Sequence, residues 1–487
     1  MTPQLILYSF LGYTLLLFVI GYITSRKSDN ESYLIGNRQS PWYVVAYGMV
    51  GASLSGVTFI SVPGWVGDTQ FSYMMVVIGY LLGYLVIALV LLPLYYRLRL
   101  TSIYTYLLDR FGFWSYKTGA FYFLLSRIIG ASFRMFLVVN ILQIFVFDNY
   151  GVPFWVTVVI FLLLINLYTF KGGIKTIVWT DTLQTTFMIT AVVLTVIFIK
   201  NQLDMNFGAL VDQIADSKYS KMIFTDWQDK RNYLKQFFSG AFIAIVMTGL
   251  DQDMMQKNLS CRNLRDAQKN IITLSWVLVP VNLMFLGLGA ALLMFTSSHG
   301  IVIPATTDTL FPEVALNHLG ALAGVIFIIG LVSAAYSSAD SALTALTTSF
   351  IVDFLGINRN PDLNESQRKS IRMRSHFGMA VVLILVILLF GMINNEAVIS
   401  ELFTIAGYTY GPLLGLYSFG MFTRRPVHDR FTPLIAIASP LICYVLSMNS
   451  VAWFGGYRFG FELLILNGAL TFAGLMLISR KGRTRKF

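Results

Sequence analysis

The segment Gly48-Met49-Val50-Gly51-Ala52-Ser53-Leu54-Ser55-Gly56-Val57-Thr58-Phe59-Ile60-Ser61-Val62-Pro63-Gly64 is apolar enough to be a membrane helix, yet its centre is built of small residues and hydroxyls. Glycines and serines there weaken a regular helix and leave main-chain carbonyls free to face a cation. The same small residues also let two helices approach closely, and the segment alone does not separate these readings. Pro63-Gly64 is expected to end the helix.

The rest of the chain places this segment in a membrane. Of 487 residues, 56% are hydrophobic and 12% charged, and mean hydropathy is +0.68. A soluble domain carries about 25% charged residues, so the outer surface of this chain faces lipid. Two cysteines, Cys261 and Cys443, exclude a disulfide framework or a cysteine metal cluster. A span of about 20 apolar residues crosses a hydrocarbon core of about 30 Å. That length fits about thirteen times, over 4–24, 41–64, 73–96, 119–147, 153–170, 175–200, 234–256, 268–296, 320–354, 374–393, 398–422, 431–449 and 459–479. No basic leader precedes the first span, so Leu5 to Thr24 is read as a retained helix.

Charge sets the orientation. Alternate loops are basic: Arg26, Lys27 and Arg38; Arg97, Arg99, Arg110 and Lys117; Lys171 and Lys175; Lys257, Arg262, Arg265 and Lys269; Arg359, Arg368, Lys369, Arg372 and Arg374; Arg424, Arg425 and Arg430; and the tail after Arg480. Loops 65–72, 148–152, 297–319 and 394–397 have neither Lys nor Arg; the 201–233 loop and Arg458 are the exceptions. The positive-inside rule then puts the N-terminus outside and the C-terminus in the cytoplasm. The 201–233 loop is expected to carry a short surface helix, and the whole chain is one membrane domain.

Polar groups inside spans mark the working parts. In Ser333-Ala334-Ala335-Tyr336-Ser337-Ser338-Ala339-Asp340-Ser341-Ala342-Leu343-Thr344, the residues Ser337, Asp340, Ser341 and Thr344 recur at i, i+3, i+4 and i+7 and share a face that Ser338 borders. Hydroxyls and a carboxylate are donors for a hard cation. Asp181 lies within two turns of the inner end of the sixth span, where it serves either an ion or a helix cap. Arg127 and Arg134 are seven apart on one helix face, suited to Asp181, Asp340 or an anionic solute, with snorkelling an alternative for Arg127. The run Gly249 to Lys257 reads either as a break or gate or as a helix end running into a basic loop. His299, His318, His376 and His428 all fall in loops or at helix ends, and enzyme signatures are missing.

Four runs, taken in order, resemble the sodium:solute symporter family over nearly the full length: S-x-V-T-F-x-x-x-P-G from Ser55, G-G-I-K-x-x-x-W-T-D-x-x-Q from Gly172, D-Q-D-x-x-Q-K from Asp251 and A-x-x-S-S from Ala334. The resemblance implies an all-α LeuT-type fold of two inverted five-helix repeats, here 41–200 and 234–422, flanked by 4–24 and by 431–487. It implies a sodium-coupled symporter for a small organic solute, an anion such as a sialic acid or monocarboxylate or else a sugar, working by alternating access. The main sodium site would take the carbonyls of Gly51, Leu54 and Ala334 and the hydroxyls of Ser337 and Ser338. A second sodium site would take Asp181, Ser337, Asp340 and Ser341, although Asp340 stands where those relatives have serine. The solute pocket would use Ser53, Ser55, Thr58 and Tyr73. The relatives' carboxylate-binding arginine falls on Gly130, flanked by Arg127 and Arg134, and their pocket glutamine falls on Val77. Two rivals stay open: a proton-coupled carrier using Asp340 and Asp181, and a sensor or channel without coupled transport. The expected setting is a bacterial inner membrane and a monomer.

Overall fold

The computed structural model describes residues 2–25, 33–34, 36–169, 173–304, 306–392 and 398–480. Arg26, Lys27, Lys171, the 394–397 loop and the tail lysines and arginines lie outside the described residues, as does Gly172; the side chain of Lys175 does too. All thirteen expected spans fall on helical segments. Among the described residues, eight helical stretches are long and apolar enough to cross a membrane alone.

The first half contains α1 (Pro3–Ser25), α2 (Trp42–Ser53), α3 (Gly56–Thr69), α4 (Tyr73–Val86), α5 (Phe113–Phe145), α6 (Phe154–Thr169) and α7 (Gly173–Gln202). A π-helical turn over Ile87–Leu91 carries α4 on to Arg97. The second half contains α8 (Tyr233–Ala244), α9 (Gln252–Leu259), α10 (Leu264–Ser298), α11 (Ala321–Ser349), α12 (Glu365–Gly391), α13 (Val398–Phe422), α14 (Thr432–Met448) and α15 (Leu463–Leu477). The 201–233 loop carries the short helix Phe207–Asp216, capped by Asn206.

Two helices are broken, one in each half. Leu54 N–H still donates to Val50 O, while Phe59 N–H restarts the ladder on Ser55 O. The carbonyls of residues 51–54 fall between the two ladders. In the second half, α8 passes through a π-helical turn at Ile245–Gly249 and resumes as α9 bent by 65°. Paired interruptions in corresponding helices are the mark of a transporter built from inverted repeats.

One expectation is corrected: Pro63-Gly64 does not end the helix, since α3 runs on to Thr69. Glycine at 64 serves proximity, because a Cβ there would stand 2.2 Å from Thr307 O. The chain turns at Gln70, with φ 56°.

Close glycine contacts also set the pairing of α4 with α8. A Cβ at Gly79 would lie 2.0 Å from Phe237 O, and one at Gly240 would lie 2.1 Å from Val76 O. Backbone cannot yield as a side chain tip can, so Gly79→Leu is expected to destabilise the fold by about 1–3 kcal/mol or more. A thermal midpoint unchanged in detergent would refute this.

The core of the bundle is α11 packed on α7, with α2 laid against both and α3 against α11. Every residue from Gly330 to Ser349 is buried. The carboxylate and hydroxyls of that stretch therefore face protein and not lipid.

Candidate ion and solute site

Backbone freed at the helix break meets the hydroxyl stripe of α11. Gly51 N–H donates to Thr185 Oγ1 at 3.0 Å, pinning the end of α2 to α7. A Cβ built on Gly56 would lie 4.0 Å from Ala335 N, so the start of α3 abuts α11. Ser338 Oγ donates to Ala334 O at 3.2 Å, and Ser337 Oγ donates to Asp181 Oδ1 at 2.7 Å. With its hydrogen committed to Asp181, the Ser337 oxygen keeps its lone pairs for another partner.

Asp181 is no interfacial cap. It is fully buried in α7, and its Oδ2 accepts from Lys257 Nζ at 2.7 Å. In the orientation that satisfies both its atoms, the Gln184 amide adds a donor to Asp181 Oδ1 at 3.2 Å. Asp340 accepts at Oδ2 from Tyr168 OH at 2.8 Å and at Oδ1 from Ser341 N–H at 2.6 Å. The hydroxyls of Ser341 and Thr344 are buried without partners. The expected pairing of the arginines with Asp181 or Asp340 is thus wrong among the described residues. Lysine holds one carboxylate and tyrosine the other.

In sequence, Lys257 stands among the charges of a basic loop. It is instead 1% exposed, because the run Asp251 to Asn258 does not dissolve into a loop. That run forms a buried half-helix whose polar side chains all reach neighbouring elements or its own backbone. Asp251 caps α9 through Asp253 N–H at 2.9 Å and accepts from Tyr410 OH at 2.6 Å. Gln252 bonds Ile103 N and Thr101 O at 3.0 and 2.8 Å. Arg127 pairs with Asp253 and lies 3.8 Å from Asp251. Snorkelling is excluded for Arg127, which points into protein.

Arg134 is a further buried cation beside Arg127. It makes no ion pair among the described residues, and its Nε has no partner. It lines a cavity of about 80 Å³ together with Ser53, Ser55, Thr58, Tyr73 and Arg127. All six residues expected at the solute pocket line that one cavity. Tyr80, Tyr84, Thr248 and Asn282 join them unforeseen. The tyrosines had a signal in the sequence: positions 73, 80 and 84 share one face of α4. Ser53 Oγ and Asn282 Oδ1 are also buried without partners. Gly130 opens on a smaller void beside Arg127 and Arg134.

Above the cavity lies a vestibule of about 760 Å³, walled by the 226–231 and 456–461 segments. A ring of four aromatics lines the vestibule, and two of them, Tyr73 and Phe403, line the cavity as well. Centroid distances are 6.2 Å for Trp65–Tyr73, 6.3 Å for Tyr73–Phe403, 4.9 Å for Phe403–Phe461 and 6.3 Å for Trp65–Phe461. Beneath it, Tyr95 OH and Tyr104 OH donate to Gly249 O and Leu250 O, both at 2.9 Å, beside the Arg127 pairs.

His376 differs from its expected place at a helix end. It is buried inside α12, bonded to Tyr33 OH, Thr169 Oγ1 and Thr347 Oγ1, each at 3.1 Å. It ties helices together away from the cavity.

A bundle with two broken helices and a polar cavity at the breaks is a secondary transporter. The sequence profile of the sodium:solute symporter family matches residues 33–429, and the chain belongs to that family. It is a sodium-coupled symporter with the LeuT-type fold and not an enzyme. Among its relatives is the sodium/sialic acid symporter NanT of Aliivibrio fischeri, 23% identical over 96% of this chain and 92% of that one. The sodium/sialic acid symporter SiaT of Proteus mirabilis is 24% identical over 85% and 84%. The structure superposes on a sodium-coupled sialic acid symporter in an outward-open, substrate-bound state with a TM-score of 0.82, at 19% identity over 98% and 99% of the chains. Family membership sets aside the proton-coupled and sensor readings.

Proposed function

We propose that this chain imports a small organic carboxylate with sodium, holding the carboxylate on Arg134. The supporting observation is that Arg134, a guanidinium buried among the hydroxyls of a cavity, has no carboxylate of its own. Burying a charge unpaired is costly, and an anionic ligand would supply the missing partner. Arg127 belongs to the same wall but is spent on Asp253 and Asp251. The Ser53, Ser55, Thr58 and Asn282 groups suit a solute that also bears hydroxyl or amide groups, as a sialic acid does; both named relatives carry sialic acid.

In this reading one sodium lies between the carbonyls of Gly51, Leu54 and Ala334 and the hydroxyls of Ser337 and Ser338. It ties the break in α2–α3 to α11 and so shapes the cavity floor that Ser53 and Ser55 form. The vestibule faces outside, in keeping with the expected topology, and the aromatic ring closes over solute. Inward opening then requires the Arg127–α9 contacts to part. The repeats are 41–200 and 234–422, and the setting is a bacterial inner membrane with a monomeric carrier.

The test is uptake into proteoliposomes under an imposed sodium gradient, with N-acetylneuraminate, lactate and glucose as separate probes. Accumulation of a carboxylate but not of glucose is expected, and it should vanish when choline replaces sodium. Uptake of glucose alone would overturn the anion assignment.

A further inference from the structure

We propose that Lys257 is a resident cation at Asp181, supplying the charge that a second sodium ion would bring, so that only one sodium binds per chain. This rests on the main sodium site assigned above. The geometry starts with the bend in the seventh span. A straight continuation of α8 would carry Lys257 onward toward the membrane surface, whereas the 65° turn sends α9 sideways beneath the core. There its ammonium meets Asp181 Oδ2 at 2.7 Å, with both side chains 1% exposed. No other carboxylate pairs with Lys257 among the described residues.

The expected second sodium site, Asp181 with Ser337, Asp340 and Ser341, is filled in this arrangement. All four carboxylate oxygens accept a hydrogen bond: Asp181 from Lys257 and Ser337, Asp340 from Tyr168 and Ser341 N–H. A sodium ion beside Asp181 would lie within about 4 Å of the ammonium, where like charges in a buried setting repel strongly. Lys257 therefore excludes the ion from Asp181. Asp181 in turn holds the Ser337 hydrogen, leaving the Ser337 oxygen for the main site. Lys257 thus acts through Asp181 and Ser337 as a positioning residue.

The experiment counts sodium ions on the purified full chain by calorimetric titration with NaCl alone, in choline-balanced buffer. Wild type and Lys257→Arg should bind one. Lys257→Gln should gain one further ion, with its Hill coefficient rising from about 1 toward about 2, and Lys257→Gln/Asp181→Asn should lose that gain. Two ions in wild type, or no gain in folded Lys257→Gln, overturns the proposal. If Lys257→Gln does not fold, the wild-type and Lys257→Arg counts decide alone, two ions in either refuting it. Ser338→Ala tests the main site separately: a wrong main site leaves the Ser338→Ala count at one without touching the gain seen in Lys257→Gln.

Discussion

Ser338→Ala is expected to raise the sodium concentration that half-saturates uptake by roughly 5- to 150-fold, while Thr344→Ala leaves it within about twofold. Both hydroxyls are buried on α11, and chemistry alone does not separate them. Position does. Ser338 Oγ is bonded to Ala334 O at 3.2 Å, and both oxygens belong to the proposed sodium site. Thr344 stands nearly two turns away, and its hydroxyl has no partner to lose. Removing one oxygen from a buried cation site costs about 1–3 kcal/mol, which gives the range above. Linkage demands that the apparent affinity for solute at fixed sodium falls as well. The measurement is a sodium titration of initial uptake rates, backed by the sodium-dependent thermal shift. Equal effects of the two substitutions would remove Ser338 from the site.

Arg134→Gln should lower apparent affinity for a carboxylate solute by roughly 10- to 150-fold, the worth of a charge-assisted hydrogen bond of about 1.5–3 kcal/mol. Arg134→Lys should recover part of that, since lysine restores charge without the planar fork. Stability should move the other way. An unpaired buried guanidinium is a burden in the empty protein, so Arg134→Gln should leave the thermal midpoint unchanged or raise it. Arg127→Gln provides the contrast. It strands Asp253 and Asp251 in the interior, which costs about 3–5 kcal/mol, and the midpoint should fall sharply. If both variants lose stability alike and carboxylate uptake survives in Arg134→Gln, the anion assignment is lost.

Much of the site was legible because its parts carry local signals. The α11 stripe is periodic, the serines around residue 54 stand in an otherwise apolar span, and the expected spans fall on helices. Six expected solute residues, Ser53, Ser55, Thr58, Tyr73, Arg127 and Arg134, do line one cavity. Where the reading failed, it failed on partners. Lys257 counted as a loop charge because it stands at the end of an apolar span, and the half-helix that buries it packs on α11, α10 and α2. Asp181 and Asp340 had no visible partner in the surrounding sequence. Their partners are 76 and 172 positions away. Pro63-Gly64 read as a stop because proline lacks a donor, but packing of Gly64 on Thr307 carries the helix through.

From the sequence alone came what depends on composition and period: a lipid-facing surface, thirteen helical spans, the weak point in the second span, and the oxygen-bearing face of the ninth. These follow from transfer free energies and helical geometry, which act residue by residue. The tertiary structure decided which charges cancel. In a low-dielectric core every buried charge needs a specific neighbour, and such neighbours come from helices far apart in the chain. Only the folded bundle settles that Asp181 belongs to Lys257, Arg127 to α9, and that Arg134 makes no ion pair among the described residues.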